Sequence, residues 1–284
     1  MIRNRRLLVH VAITVAVLSL AGTAPVFGQT GGVGLNPARR EVEILPGSER
    51  TVAFRIEPAP SQAPVQGRIL LSPTDWTISE HGTVSYTEPG TTPDSASSWM
   101  TFSPSALTIS SGQSETVRVT VKVPELAKPG VYRTAIFIQE RPPATPPAPG
   151  QYVLYVRFRY VFTLYVIVPP VSAAAEFLNV HLDAASSEVL LEMTNTGALH
   201  LRPRFSWSIH AAGGTEISAA RAQESMVLLP GSSLTQRSSI PNVLPAGRYE
   251  VVAQVDFNNG RPAQVIRRQV EILPMSQTHD ATSN

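Results

Sequence analysis

The chain has 284 residues, room for two domains of ordinary size, and a hydrophobic content of 43% gives each of them material for a core. Charged residues make up only 15%, while prolines number 25 and glycines 18, a composition suited to short strands and many turns rather than long helices. Cysteine is absent, which excludes a disulfide framework, a thiolate zinc site and a cysteine nucleophile, so burial alone must hold each domain.

Residues 1–28 read as an export signal. Arg3, Arg5 and Arg6 form a basic start, residues 7–20 are apolar, and Val26-Phe27-Gly28 offers a cleavage site that leaves Gln29 as the mature N-terminus. The apolar run is short for a span of about 20 residues, and no cysteine follows it to carry a lipid. The expectation is a periplasmic or otherwise exported protein with no stable membrane span after cleavage. The signal holds three arginines and no acidic residue, so losing it takes the formal charge from +2 to −1. Nucleic acid as a partner loses its electrostatic basis.

The first domain is expected over 29–168. Residues 33–44 are extended but interrupted by Pro37, which predicts an edge strand that switches sheets. Residues 51–56 alternate, with Val52, Phe54 and Ile56 on one face. Short strands follow over 68–72, 75–78 and 83–86, then a long polar loop over 88–98. Packing resumes over 99–102, and residues 114–123 alternate through Val117, Val119, Val121 and Val123. A further strand covers 132–139. After the proline-dense connector 141–150, residues 152–168 form a long β-branched and aromatic run, read as a bent strand that closes the domain. A membrane helix there is rejected, because Arg157 and Arg159 would cost several kcal/mol in lipid.

Residues 169–175, beginning Pro169-Pro170, are the expected hinge. The second domain, 176–274, repeats the grammar: strands over 178–182, through Val189, Leu191 and Met193, and through Phe205, Trp207 and Ile209. Trp207 fits the buried tryptophan of an immunoglobulin sandwich. Asn258-Asn259-Gly260 marks a hairpin before the last strand, 263–273, and 275–284 is a polar tail.

An internal repeat ties the halves together. Ser111-Gly112-Gln113-Ser114 precedes Pro129-Gly130-Val131-Tyr132, and Pro230-Gly231-Ser232-Ser233 precedes Pro245-Ala246-Gly247-Arg248-Tyr249. The glycine-to-glycine spacings are 18 and 16 residues. Gly-x-Tyr at the start of a late strand is the pattern of a tyrosine corner, which gives Tyr132 and Tyr249 structural roles. The fold class expected is all-β: two immunoglobulin-like antiparallel β-sandwich domains in tandem after a signal peptide.

Chemistry is sparse. His81, His181, His200, His210 and His279 are scattered, without a second ligand at zinc spacing, and each is expected in a turn or at the surface. No nucleophile elbow, phosphate loop or Ser-x-x-Lys is present. Asp75, Glu80 and Glu88 are expected as solvated loop carboxylates, with a calcium site as the alternative. No enzyme, cofactor or metal is expected. Extended edge strands are the better functional material, since their unpaired N–H and C=O groups can receive a partner's strand.

Val33-x-Leu35-x-Pro37-x-Arg39, Asp75-Trp76-Thr77-Ile78, Gly82-Thr83-Val84, Ser97-Ser98-Trp99-Met100 and Pro129-Gly130-Val131-Tyr132-Arg133-Thr134 together resemble the PapD-like periplasmic pilus chaperones. The resemblance implies two basic residues gripping a pilin's terminal carboxylate, Arg39 on the first strand and Arg157 or Arg159 on the last strand of domain one. It also implies that Leu154 and Val156 fill the pilin's incomplete core. Departures are visible: the second anchor is Arg where the family has Lys, and the apolar motif before it is short. The implied partners are other exported proteins, pilin-like subunits and an outer-membrane usher among them. The alternative reading is a structural or adhesive cell-envelope module with no client.

Overall fold

The computed structural model describes residues 32–58, 66–110, 112–140 and 158–273. The expected signal, the connector 141–150 and the polar tail lie outside the described residues, as does the start of the 152–168 run. The fold is all-β, two immunoglobulin-like sandwiches in tandem, each closed over its own apolar core.

In the first sandwich the chain runs through β1 (Val33–Asn36), β2 (Arg39–Glu43), β3 (Glu49–Pro58), β4 (Gln66–Ile78) and β5 (Val84–Thr87). A 3-10 turn (Ser97–Trp99) leads into β6 (Met100–Ser103), β7 (Ala106–Ser110), β8 (Glu115–Lys122), β9 (Gly130–Glu140) and β10 (Arg159–Val168). One sheet is ordered β1-β3-β8-β6 and the other β2-β10-β9-β4-β5, with β7 also on β4. The first extended segment does switch sheets: β1 pairs antiparallel with β3, and beyond Pro37 β2 pairs with β10. That second pairing is parallel, because the chain crosses to the opposite sheet without reversing, so the sandwich is not purely antiparallel. Between the sheets lie Phe54, Ile56, Val117, Val119, Ile136, Ile138, Phe162 and Leu164, with Phe54 stacked on Phe162 at 4.1 Å.

Where two strands were expected over 68–72 and 75–78, a single β4 runs through Pro73. The Leu71 N–H already points away from β9, to the Ser105 carbonyl at 2.9 Å. Two residues on, Pro73 faces that same edge, in the gap between the residues paired with β7 and those paired with β5. A residue without an N–H costs nothing there. β7 itself was not foreseen.

The second sandwich contains β11 (Ala175–Asp183), β12 (Glu188–Asn195), β13 (Arg204–Ala211), β14 (Glu216–Glu224), β15 (Ser233–Ser239), β16 (Gly247–Asp256) and β17 (Gln264–Ile272). Its sheets are β11-β12-β15 and β14-β13-β16-β17. β14 was not foreseen either, because it is a polar edge strand exposed along nearly its whole length. Trp207 on β13 is buried, and its indole N–H donates to the Ser238 hydroxyl at 2.8 Å. Both corner tyrosines bond four residues back: the Tyr132 phenol donates to the Lys128 carbonyl at 3.0 Å, and the Tyr249 phenol to that of Pro245 at 2.7 Å.

Candidate functional site

The sheet of the first sandwich that carries β10 has two working faces. Its inner face packs the core. Its outer face is apolar as well: Trp76 on β4, Val131 and Ala135 on β9 and Tyr165 on β10 are buried against Val227 and Leu229 of the second sandwich. Glu80, in the loop after β4, also accepts a backbone bond from Thr235 at 2.7 Å. The two sandwiches therefore meet over a continuous seam. Beyond it the same outer face stays apolar without cover among the described residues. Tyr86 on β5 is 44% exposed with its ring 4.9 Å from Phe137, and Leu70 and Val84 are exposed nearby.

At the seam a polar network surrounds Tyr165. His200, from the segment after β12, stacks on the Tyr165 ring at 4.2 Å, and its Nε2 lies 3.2 Å from Glu41 of β2. Arg202 donates to the Tyr165 hydroxyl at 3.1 Å and reaches within 3.9 Å of Glu41, while Arg39 sits 3.6 Å from the same carboxylate oxygen. The hydrogen bond from His200 is the main cause holding the Glu41 carboxyl below its usual value, with partial burial opposing it and the charges of His200, Arg202 and Arg39 assisting. Burial raises the Tyr165 phenol, against the pull of Arg202. His200 was expected at the surface, yet its side chain is only 3% exposed. Nothing in its spacing could have revealed this, because its neighbours come from the other sandwich.

Asp75 corrects a second expectation. It is fully buried, not solvated. Its carboxylate accepts from the Gly90 and Thr92 backbone N–H groups at 2.9 and 3.1 Å and from the hydroxyls of Thr92, Ser95 and Ser97. Burial alone would raise its pKa; the bonds from Ser97, Thr92 and Ser95 outweigh it and hold the carboxyl below its usual value. The expected polar loop is thus wound around one anion. The threonine- and serine-rich run that follows Thr91 was the available signal. Among the described residues no group of three or more His, Asp or Glu is placed to hold a metal.

The residues expected to bind a partner fall as follows. Arg39 on β2 stands opposite Thr163 of β10 and turns to Glu41. Arg159 opens β10 opposite Gln139 and lies over the Phe137 ring at 4.4 Å. The two arginines share the outer face but are four residues apart along the sheet, about 13 Å at strand rise. The described residues do not bring them to one point. Leu154, Val156 and Arg157 lie outside the described residues. The free edge is clearer. β2 covers β10 only from Thr163 onward, the Thr163 N–H donating to Ala38 at 3.0 Å. By the two-residue period of a strand, the N–H groups of Val161 and Arg159 face the same edge, with no strand beside them among the described residues.

No family model matches the chain, and no curated protein does. Solved structures do. The chain is similar to one in the CsuC–CsuE chaperone–tip adhesion subunit pre-assembly complex of Acinetobacter baumannii, at 12% identity over 83% of this chain and 97% of that one, with a TM-score of 0.45. It is also similar to the E. coli chaperone DraB, at 14% identity over 85% and 98% with a TM-score of 0.41. A third is from the Salmonella enterica SafA pilin–SafB chaperone complex, at 12% identity over 84% and 96% with a TM-score of 0.44. The functional reading rests on this chain's own edge and seam.

Proposed function

We propose that the chain is an exported, non-catalytic protein-binding protein that receives a strand of another exported protein on the open edge of β10, in the manner of a chaperone for pilus or surface-appendage subunits. The observation that carries the reading is that edge: β10 is a ten-residue strand, and β2 shields it only from Thr163 on. Its outward N–H and C=O groups at Arg159 and Val161 are the kind of template that strand addition uses. The apolar outer face of the same sheet, with Tyr86, Val84 and Leu70 exposed, supplies contacts for the partner's side chains. Arg159 and Arg39 give that face cationic groups suited to an acidic end or side chain. In this reading Leu154, Val156 and Arg157, just upstream, extend the same contact.

A structural or adhesive envelope module is the second reading. What favours it is the separation of Arg39 from Arg159, each already engaged within the chain. Co-purification from the compartment to which the protein is exported separates the two. Val161→Pro removes one edge N–H without touching the ladder to β9, so the fold should survive while captured proteins are lost. Arg39→Ala and Arg159→Ala should weaken capture without abolishing it. If Val161→Pro folds and brings down the same proteins as the native chain, strand addition at β10 is wrong.

A further inference from the structure

We infer that Glu41 is a charge latch between the two sandwiches, and that the seam opens when this carboxylate loses its charge. This device belongs to the fold itself and does not depend on what binds β10. Among the described residues, Glu41 is the one carboxylate within 4 Å of both His200 and Arg202 of the second sandwich, and Arg39 approaches it from its own strand. Glu41 is 40% exposed, Glu43 two residues along β2 is exposed as well, and Tyr165 on β10 contacts both His200 and Arg202. Remove the negative charge and the seam holds cations facing one another across a phenol, with no anion between them.

A second, independent observation shows that the closed seam is held under some cost. Among the described residues, three buried side-chain nitrogens have no hydrogen-bond partner: Trp76 Nε1, His200 Nδ1 and Arg202 Nε. All three belong to side chains packed around Tyr165. Each would recover a water on opening. In the proposal the apolar contact of Trp76 and Val131 with Val227 and Leu229 and the latch together keep the seam shut. The direction with pH follows from the geometry. The His200 bond favours the ionised Glu41, so the latch is fully formed above the ordinary glutamate range, about 4.3, and is lost as pH falls below it.

The absence of cysteine makes the test direct. Spin labels at Ser114→Cys and Thr215→Cys, exposed sites on the two sandwiches, report the distance between them by pulsed electron paramagnetic resonance. At pH 7 the full chain should give one narrow distribution. Lowering the pH through 4 should broaden it while far-ultraviolet circular dichroism stays native. Glu41→Gln should be broader already at pH 7, its open population about fivefold above that of the native chain, and Glu43→Gln should match the native chain. A narrow distribution for folded Glu41→Gln at pH 7 overturns the proposal. So does a native chain that keeps its distribution until it unfolds; that acid series decides the matter should Glu41→Gln fail to fold.

Discussion

Aligned on their corner tyrosines, β9 and β16 are the same strand in two settings. Val131, Arg133, Ala135 and Phe137 of β9 occupy the outward positions that Arg248, Glu250, Val252 and Gln254 occupy in β16. The inward positions are alike: Ile136 and Ile138 on one side, Ala253 and Val255 on the other, all buried. The outward ones are not. All four are buried in β9, and none is in β16. A strand buried on both faces needs a second cover. The second sandwich covers the Val131 end, and Tyr86 and Arg159 lie over the Phe137 end. The difference leaves the outer face of this sheet apolar on the first sandwich and polar on the second, in keeping with the proposal that a partner docks on the first.

The comparison breaks first in the cores, where the two strands should behave alike. Trp207→Ala removes a buried indole and its bond to Ser238, and should cost about 4 kcal/mol. Calorimetry would show it as a lowered transition for the second sandwich. If the first sandwich's transition falls equally, the seam couples the two into one cooperative unit.

Asp75 comes next, since the second sandwich has no loop wound about a buried carboxylate of this kind among its described residues. Asp75→Ala strands the donors of Gly90, Thr92, Ser95 and Ser97, at a cost of about 3 kcal/mol in denaturant unfolding at pH 7. Its carboxyl is held below the usual value in the fold, so the contribution is complete above about pH 3.9 and disappears as pH falls below it. The gap between native chain and variant should therefore close in acid. A gap that persists unchanged at pH 2 would mean that the loop is held by packing instead.

The outward faces give a smaller and more specific contrast. Phe137→Gln writes the β16 residue into β9 and should cost about 2 kcal/mol while weakening partner capture. The reverse change, Gln254→Phe, should leave stability within about 0.5 kcal/mol and capture unaltered. If Phe137→Gln left capture intact, the apolar outer face would be explained by the second sandwich alone.

These positions also show what the sequence made legible. The valines of β8 and the alternation of β13 announce half-buried strands, because there burial follows the two-residue period. The paired Gly-x-Tyr segments announced the tandem. β14 stayed hidden because an exposed polar edge strand carries no such period, and β4 was cut at Pro73 because a break in hydrogen-bonding capacity looks the same whether or not a neighbour needs that N–H. The seam was hidden for a different reason. His200 and Glu41 are distant in sequence, and neither has a local pattern that distinguishes it from a surface residue. Asp75 lay between these cases: a carboxylate before a run of hydroxyl side chains is readable, once the loop is asked where its donors go.

The subtlest contrast lies in the corners themselves. Tyr249 is 6% exposed and Tyr132 more accessible, although both phenols donate to the carbonyl four residues back. Tyrosine to phenylalanine leaves the ring in place and removes only that bond. In the second sandwich the Pro245 carbonyl then loses a short, partly buried partner, and Tyr249→Phe should cost about 1 kcal/mol. In the first, water can replace the phenol at the Lys128 carbonyl, so Tyr132→Phe should cost about half as much, near 0.5 kcal/mol. Equal losses in the two variants would mean that the bond acts mainly by restricting the loop before each strand, an effect that solvent exposure does not weaken. Since the two loops share Pro124 and Pro241 eight residues before their tyrosines, that outcome would place the stabilising element in the repeated loop and not in the degree of burial that distinguishes β9 from β16.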